Sequence, residues 1–188
     1  MKQSRLQHIR VYLSGPCENA KDSGASWRKS ITPKLKKLGM MIFDPVVKNG
    51  VTLSFISDVT KEFEYLKKLR AAEDYENLSK CCKEVVRTDL RMCDGSDVII
   101  VNWDADVITV GTVDEIVTAA NQKKPIYLCC KQGKKNIPIW LWGRVPLNYI
   151  FDSLDDVMKR LEDIAYAKEE ELPNLIDKRW LFLNKLGV

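Results

Sequence analysis

The segment Asp97–Trp103, DVIIVNW, constrains the fold more than any other stretch of the chain. It is a continuous apolar run with no polar residue alternating through it. A strand of this kind is covered on both faces, which is the situation inside a parallel sheet. Shorter apolar runs recur at Ile9–Ser14, Met40–Phe43 and Pro125–Cys130, with a fifth, brief strand expected near Tyr149–Ile150. Helical patterns fall between them. Trp27, Ile31, Leu35 and Leu38 repeat at helical spacing over 26–38 before Gly39, with Pro33 expected to delay or kink that helix. Further helices are predicted at Val59–Leu69, Asp74–Cys93, Thr112–Asn121 and Ser153–Ala167. Alternation of this type implies an α/β, Rossmann- or flavodoxin-like doubly wound sheet of about five parallel strands. The 188 residues suit one such domain over 1–188. The polar stretch 46–72 reads as an inserted helical segment or lid. The stretch 169–188 reads as a helical tail, docked or used in an oligomer contact.

Charge and cysteine usage narrow the function classes. The net charge of +4 comes from 30 basic and 26 acidic residues dispersed along the chain. Nucleic-acid polymers need clustered basic residues, so that class is disfavoured, whereas a small anionic ligand is compatible. The six cysteines include no C-x-x-C, and the single His8 cannot complete a zinc site with them. They read as reduced core residues, and a cytoplasmic location is expected. The N-terminal MKQSRLQHIR lacks an apolar signal core, and no apolar run approaches membrane-spanning length, so neither export nor a membrane span is expected.

In a doubly wound sheet, ligands bind beyond the carboxyl ends of the strands. Candidate residues are therefore sought after the first and third strands. Tyr12-Leu13-Ser14-Gly15-Pro16 closes the first strand. Gly15 would let the backbone approach a ligand, and a loop leading into a helix can offer N–H groups to an anion; a plain strand-end turn is the competing reading. Gly111-Thr112-Val113-Asp114-Glu115 follows the third strand and its loop. Thr112 and Glu115 have the spacing of a capping box, and the same first-turn position would keep Glu115 ionised and able to act as a nucleophile. Asp89 is the third candidate. On a helical projection Leu78, Cys82, Val85, Val86, Met92 and Cys93 share one face, with Asp89 near its middle and Lys80, Lys83, Arg87 and Arg91 well off it. A carboxylate there is costly unless paired or used, and burial would raise its pKa toward that of an acid catalyst. Asp104 and Asp106 suggest a metal only weakly; a polar strand-end loop is the simpler reading, and no metal or cofactor is expected. Trp103, Trp140 and Trp142 read as core or interface residues rather than base-stacking platforms.

The three clusters together resemble the nucleoside 2-deoxyribosyltransferase family, including its nucleotide N-glycosidase branch. The resemblance runs from Val11 to about Leu128. It rests on Tyr12 with Ser14-Gly15-Pro16, on Asp89-Leu90 followed by Asp94 and the strand from Asp97, and on Gly111-Thr112 to Glu115 with Ala119-Ala120 and Lys124-Pro125. It implies Glu115 as nucleophile, Tyr12 as its orienting partner and Asp89 in contact with the ligand, with Ser14, Gly15, Pro16, Thr109, Gly111 and Thr112 around the substrate. The expected activity is cleavage or transfer at the N-glycosidic bond of a nucleoside or nucleoside 5′-monophosphate, in a homodimer or larger homo-oligomer. A non-catalytic nucleotide-binding or sensor domain of the same fold is the alternative. One departure bears on substrate. Free-nucleoside transferases of the family carry an Asp six residues before the Glu, whereas this chain has Thr109, which tilts the expectation toward the monophosphate, with Asp106 near enough to substitute for the missing Asp.

Overall fold

The computed structural model describes residues 3–185. Five strands, β1 (Arg10–Ser14), β2 (Met41–Phe43), β3 (Val98–Trp103), β4 (Ile126–Cys130) and β5 (Ile150–Phe151), form one sheet in the order β2-β1-β3-β4-β5. Every pairing is parallel, with Tyr12 opposite Phe43 on one side and Ile99 on the other, and Ile100 opposite Tyr127. Val98, Ile99, Ile100 and Val101 are fully buried, as a strand covered on both faces requires. The strand order reverses between β1 and β3, and this switch point opens a crevice at their carboxyl ends.

Helices α1 (Ala25–Lys37) and α6 (Leu154–Tyr166) pack on each other and on the sheet, while α3 (Tyr75–Gly95) and α4 (Val110–Asn121) pair against it separately. Pro33 neither delays nor breaks α1; Ile31 and Leu35, buried on either side of it, anchor the helix through the missing bond. Lys124 holds the carboxyl end of α3 by donating to the carbonyls of Cys93 and Asp94 at 2.6 and 2.7 Å. Asp97 takes a two-pronged contact from Arg10 at 2.9 and 2.7 Å. The Lys-Pro and acidic positions of the sequence pattern are therefore structural supports.

Residues 46–72 form a turn, a short 3₁₀ turn at Val59–Lys61 and the helix α2 (Glu62–Ala71). Leu53 and Leu66 from this segment meet Cys81 and Val85 of α3 in a second, smaller hydrophobic cluster. The insertion thus stands on α3, beside the crevice. After α5 (Ile139–Trp142), β5 and α6, the C-terminal segment docks through Leu172, Trp180 and Leu183, all buried, ending in α7 (Leu181–Lys185). The last three positions of the expected tail, 186–188, lie outside the described residues. No helix among the described residues is long and apolar enough to cross a membrane.

Candidate active site

Side chains alternate across a strand, so Tyr12 and Ser14 project to the same face of β1. Both reach Glu115 of α4. The Tyr12 hydroxyl donates to Glu115 Oε1 at 2.6 Å and the Ser14 hydroxyl to Oε2 at 2.5 Å. Tyr12 and Ser14 are fully buried and Glu115 is 8 % exposed. Burial pushes the Glu115 carboxyl up from its ordinary 4.5 to about 7; the two hydroxyl donors oppose the rise, Asp89 adds to it, and Arg28 counters it. The Tyr12 phenol lies well above its usual range, first through burial and then through the nearby Glu115, so it stays a donor.

The expected capping box at Thr112 and Glu115 is absent. Helix α4 starts earlier, with Thr109 as the cap: its hydroxyl oxygen accepts from Thr112 N at 3.4 Å and its O–H donates to Thr112 Oγ1 at 2.6 Å. Glu115 consequently sits in the second turn, where the helix-end potential has faded, and burial rather than the dipole dominates its acidity. Its carboxylate is bound to β1, not folded back on its own helix.

Asp89 lies on α3, as the helical projection required, but it is paired. Lys48 from the insertion donates to Asp89 Oδ1 and to the carbonyl of Pro45, the latter at 2.7 Å, and lies 3.2 Å from Glu62 Oε1. Lys48 and Glu62 are 1 % and 2 % exposed. Burial raises the Asp89 pKa, against the pull of Lys48 and Arg28. Burial likewise lifts Glu62 from 4.5 to about 7, with Lys48 opposing and Asp89 adding. The face expected around Asp89 is half core and half wall. Cys81, Val85 and Cys93 are buried, while Val86 is exposed and, with Leu78 and Cys82, lines a cavity of about 400 Å³.

That cavity brings together Gly15, Asp89, Thr109, Gly111, Thr112 and Glu115 from the expected set. Tyr12 and Ser14 stand behind Glu115 rather than on the wall, and Pro16 is buried away from the lining. Gly15 serves packing: a Cβ there would meet the Asn102 carbonyl at 3.0 Å and the Trp27 ring at 3.1 Å. The loop after β1 is fixed by the fully buried Arg28, which donates to the carbonyls of Leu13, Gly15 and Gly24 at 3.1, 3.0 and 2.9 Å. The α1 terminus is not open to an anion, because Asp22 already accepts from Gly24 N and Ser26 N at 3.0 and 2.7 Å.

Sequence reasoning missed the insertion's share of the site. Lys48, Glu62, Phe63, Leu66, Lys67 and Arg70 all sit in a stretch whose polar composition hides which side chains turn inward. The only available signal was the unpaired Asp89, which demanded a cation from somewhere. Asp104 and Asp106 are held by the Gln132 amide, at 2.5 and 2.8 Å, and no group of side chains suited to a metal ion occurs among the described residues. Trp103 is buried, and Trp140 and Trp142 are exposed, away from the cavity lining.

No protein-family model matches the chain, and no curated protein matches it by sequence. Solved structures do match by shape. The chain is similar to the 2-deoxyribosyltransferase of Bacillus psychrosaccharolyticus, with TM-score 0.53 and 18 % identity over 80 % of this chain and 90 % of that one. It is also similar to a conserved protein of Enterococcus faecalis V583, with TM-score 0.55 and 14 % identity over 83 % of this chain and 98 % of that one. The five-stranded parallel sheet of this chain, with its flanking helices, is thus the fold of a 2-deoxyribosyltransferase.

Proposed function

We propose that the chain breaks the N-glycosidic bond of a nucleoside 5′-monophosphate, or of the corresponding nucleoside, and passes the glycosyl group to water or to a second base. The observation that carries this reading is the buried Glu115 carboxylate facing a cavity while two hydroxyls grip it from behind. A helix cap has no need of such an arrangement; a nucleophile that must point one way does. The likeness to a 2-deoxyribosyltransferase supports the same chemistry.

In the first step a Glu115 oxygen bonds to C1′ as the C1′–N bond breaks, and the bonding pair leaves with the base. The transition state resembles an oxocarbenium ion, which the facing carboxylate stabilises. Asp89, on the cavity wall, supplies a proton so that the base departs neutral. In the second step water or another base attacks C1′ and frees Glu115, and Asp89 takes the proton back from the attacking group. Lys67 and Arg70 line the same cavity as Thr109, Gly111 and Thr112 at the amino end of α4 and, though both also contact Glu18, their charge favours an anionic substrate such as a monophosphate.

The test is incubation with all common ribo- and deoxyribonucleoside 5′-monophosphates and their nucleosides, read as free base. A trapped glycosyl adduct on a Glu115 peptide is the expected accompaniment. Tight binding of one nucleotide with no base release would instead make the chain a sensor domain.

A further inference from the structure

Asp89 belongs to a buried cluster of one cation and two carboxylates, Lys48, Glu62 and Asp89. If both carboxyls ionise, the cluster carries an excess negative charge with Lys48 and Glu62 shut off from solvent and Asp89 open only to the cavity, which is costly. Holding one proton on the pair brings the cluster to neutrality. Lys48 is built in to enforce this: it sits in a left-handed backbone conformation, φ 46, with its amide donating to the Asp44 carbonyl at 2.8 Å, and its side chain is aimed inward. Glu62 has no hydrogen-bond partner on either carboxyl oxygen among the described residues, only the 3.2 Å charge contact with Lys48. Of the three, Asp89 alone lines the cavity.

We propose that Lys48 and Glu62 are positioning residues that keep one proton shared with Asp89, so that Asp89 has it to give to the departing base. This rests on the glycosyl-transfer reading above. The charge balance favours it. Before reaction Glu115 carries one negative charge and the cluster none. Once Glu115 is esterified at C1′ and Asp89 has lost its proton to the base, Glu115 carries none and the cluster one. The buried negative charge moves from one side of the cavity to the other, and its total does not change. In the second step the proton taken from water or the second base returns to Asp89, and the starting charges are restored. The other groups bearing on Asp89 are Arg28 of α1, which favours its ionised form, and Glu115 of α4, which favours the proton. Tyr12 of β1 and Cys17 beyond it stay neutral, the thiol pushed up to about 11 by burial.

The experiment is a carbon NMR titration of labelled Asp and Glu carboxyls in the substrate-free protein, with Asp89 assigned through Asp89→Asn. Glu62→Gln removes the competing carboxylate and leaves Lys48 to Asp89 alone, so the Asp89 midpoint is expected to fall by about one pH unit or more. Lys48→Met removes the cation, and the same midpoint is expected to rise. In kinetics Glu62→Gln lowers kcat much more for bases that leave poorly than for bases that leave well, a dependence that loss of folded enzyme, which lowers kcat equally for every substrate, would not give. An Asp89 midpoint that is the same in wild type and Glu62→Gln overturns the shared proton, whatever the turnover. A midpoint that moves as described in a protein that releases no base from any nucleotide retires the glycosyl reading, and with it the donation to a base.

Discussion

Glu115→Gln separates a working carboxylate from a structural one, because the two predict opposite changes in stability. Raising a carboxyl from 4.5 to about 7 disfavours its ionised form in the folded protein by about 3 kcal/mol. The folded state binds the proton more tightly than the unfolded chain. The stability this confers is therefore fully present below about pH 4.5 and is lost as pH rises through about 7. At pH 8 the native protein bears most of that cost. Glutamine has the same shape and no charge. It gives up one acceptor, and its amide nitrogen must find a lone pair on the Tyr12 or Ser14 hydroxyl, a rearrangement that offsets roughly half the gain. The net expectation is a stabilisation of about 1–2 kcal/mol at pH 8, which for a chain of this size raises Tm by about 2–8 °C. Between pH 8 and pH 4 the difference moves against the variant by about 3 kcal/mol, as the ionisation cost disappears from wild type, and ends as a slight destabilisation. Thermal unfolding followed at both pH values, beside an assay of base release, reads both halves: turnover is abolished while Tm rises. A variant that melts lower than wild type at pH 8 and still turns over would show that Glu115 is a structural strut, and would refute the reasoning.

Other expectations follow from the same contacts. In the wild type kcat/KM rises as pH passes about 7, as Glu115 ionises; Tyr12→Phe removes a donor to that ion, moves the limb to higher pH and cuts kcat/KM at pH 7 about tenfold or more, with partial recovery at pH 9. Asp89→Asn slows release of poorly leaving bases by roughly 10²–10⁴ and of good leaving groups far less; an equal loss for all would assign Asp89 to folding or positioning. Metal chelators leave the rate unchanged, since the Gln132 amide already bridges Asp104 and Asp106; loss of activity restored by one divalent ion would overturn that.

What the sequence disclosed and what it hid divide along a physical line. Period and burial are written locally, so DVIIVNW announced a doubly covered strand and the apolar face of α3 announced that Asp89 was out of place. Cap geometry is not local in the same way. Thr112 with Glu115 and Thr109 with Thr112 both have cap-like spacing, and only the path of the chain leaving β3 decides that Thr109 is the cap. The sequence also left open why Gly15 is glycine, because the Asn102 carbonyl and Trp27 ring that crowd it come from other elements. Lys48 was illegible for a related reason. A lysine in a polar stretch is solvated by default, and its burial follows from a turn that aims it at α2 and α3, which are distant in sequence.

The site depends on how one strand divides its side chains. Tyr12 and Ser14, two residues apart, face α4 and hold Glu115 with hydroxyls, while the intervening Leu13 gives its carbonyl to Arg28. The guanidinium is held by these backbone oxygens and by Asp44, 3.6 Å from its Nε, while Glu115 is held by hydroxyl donors and has no ion pair among the described residues. An adjacent cation would lower the carboxylate's pKa and also cancel the field it directs at C1′, where positive charge develops. Neutral donors orient the group and leave that field largely intact. Asp89 is treated oppositely, with an ammonium against it and a second carboxylate behind. A group that must lose a proton as the base departs benefits from a cation that welcomes the resulting charge. The two carboxylates are thus distinguished by the kind of partner each is given more than by depth of burial, and each partner suits the charge change its carboxylate would undergo.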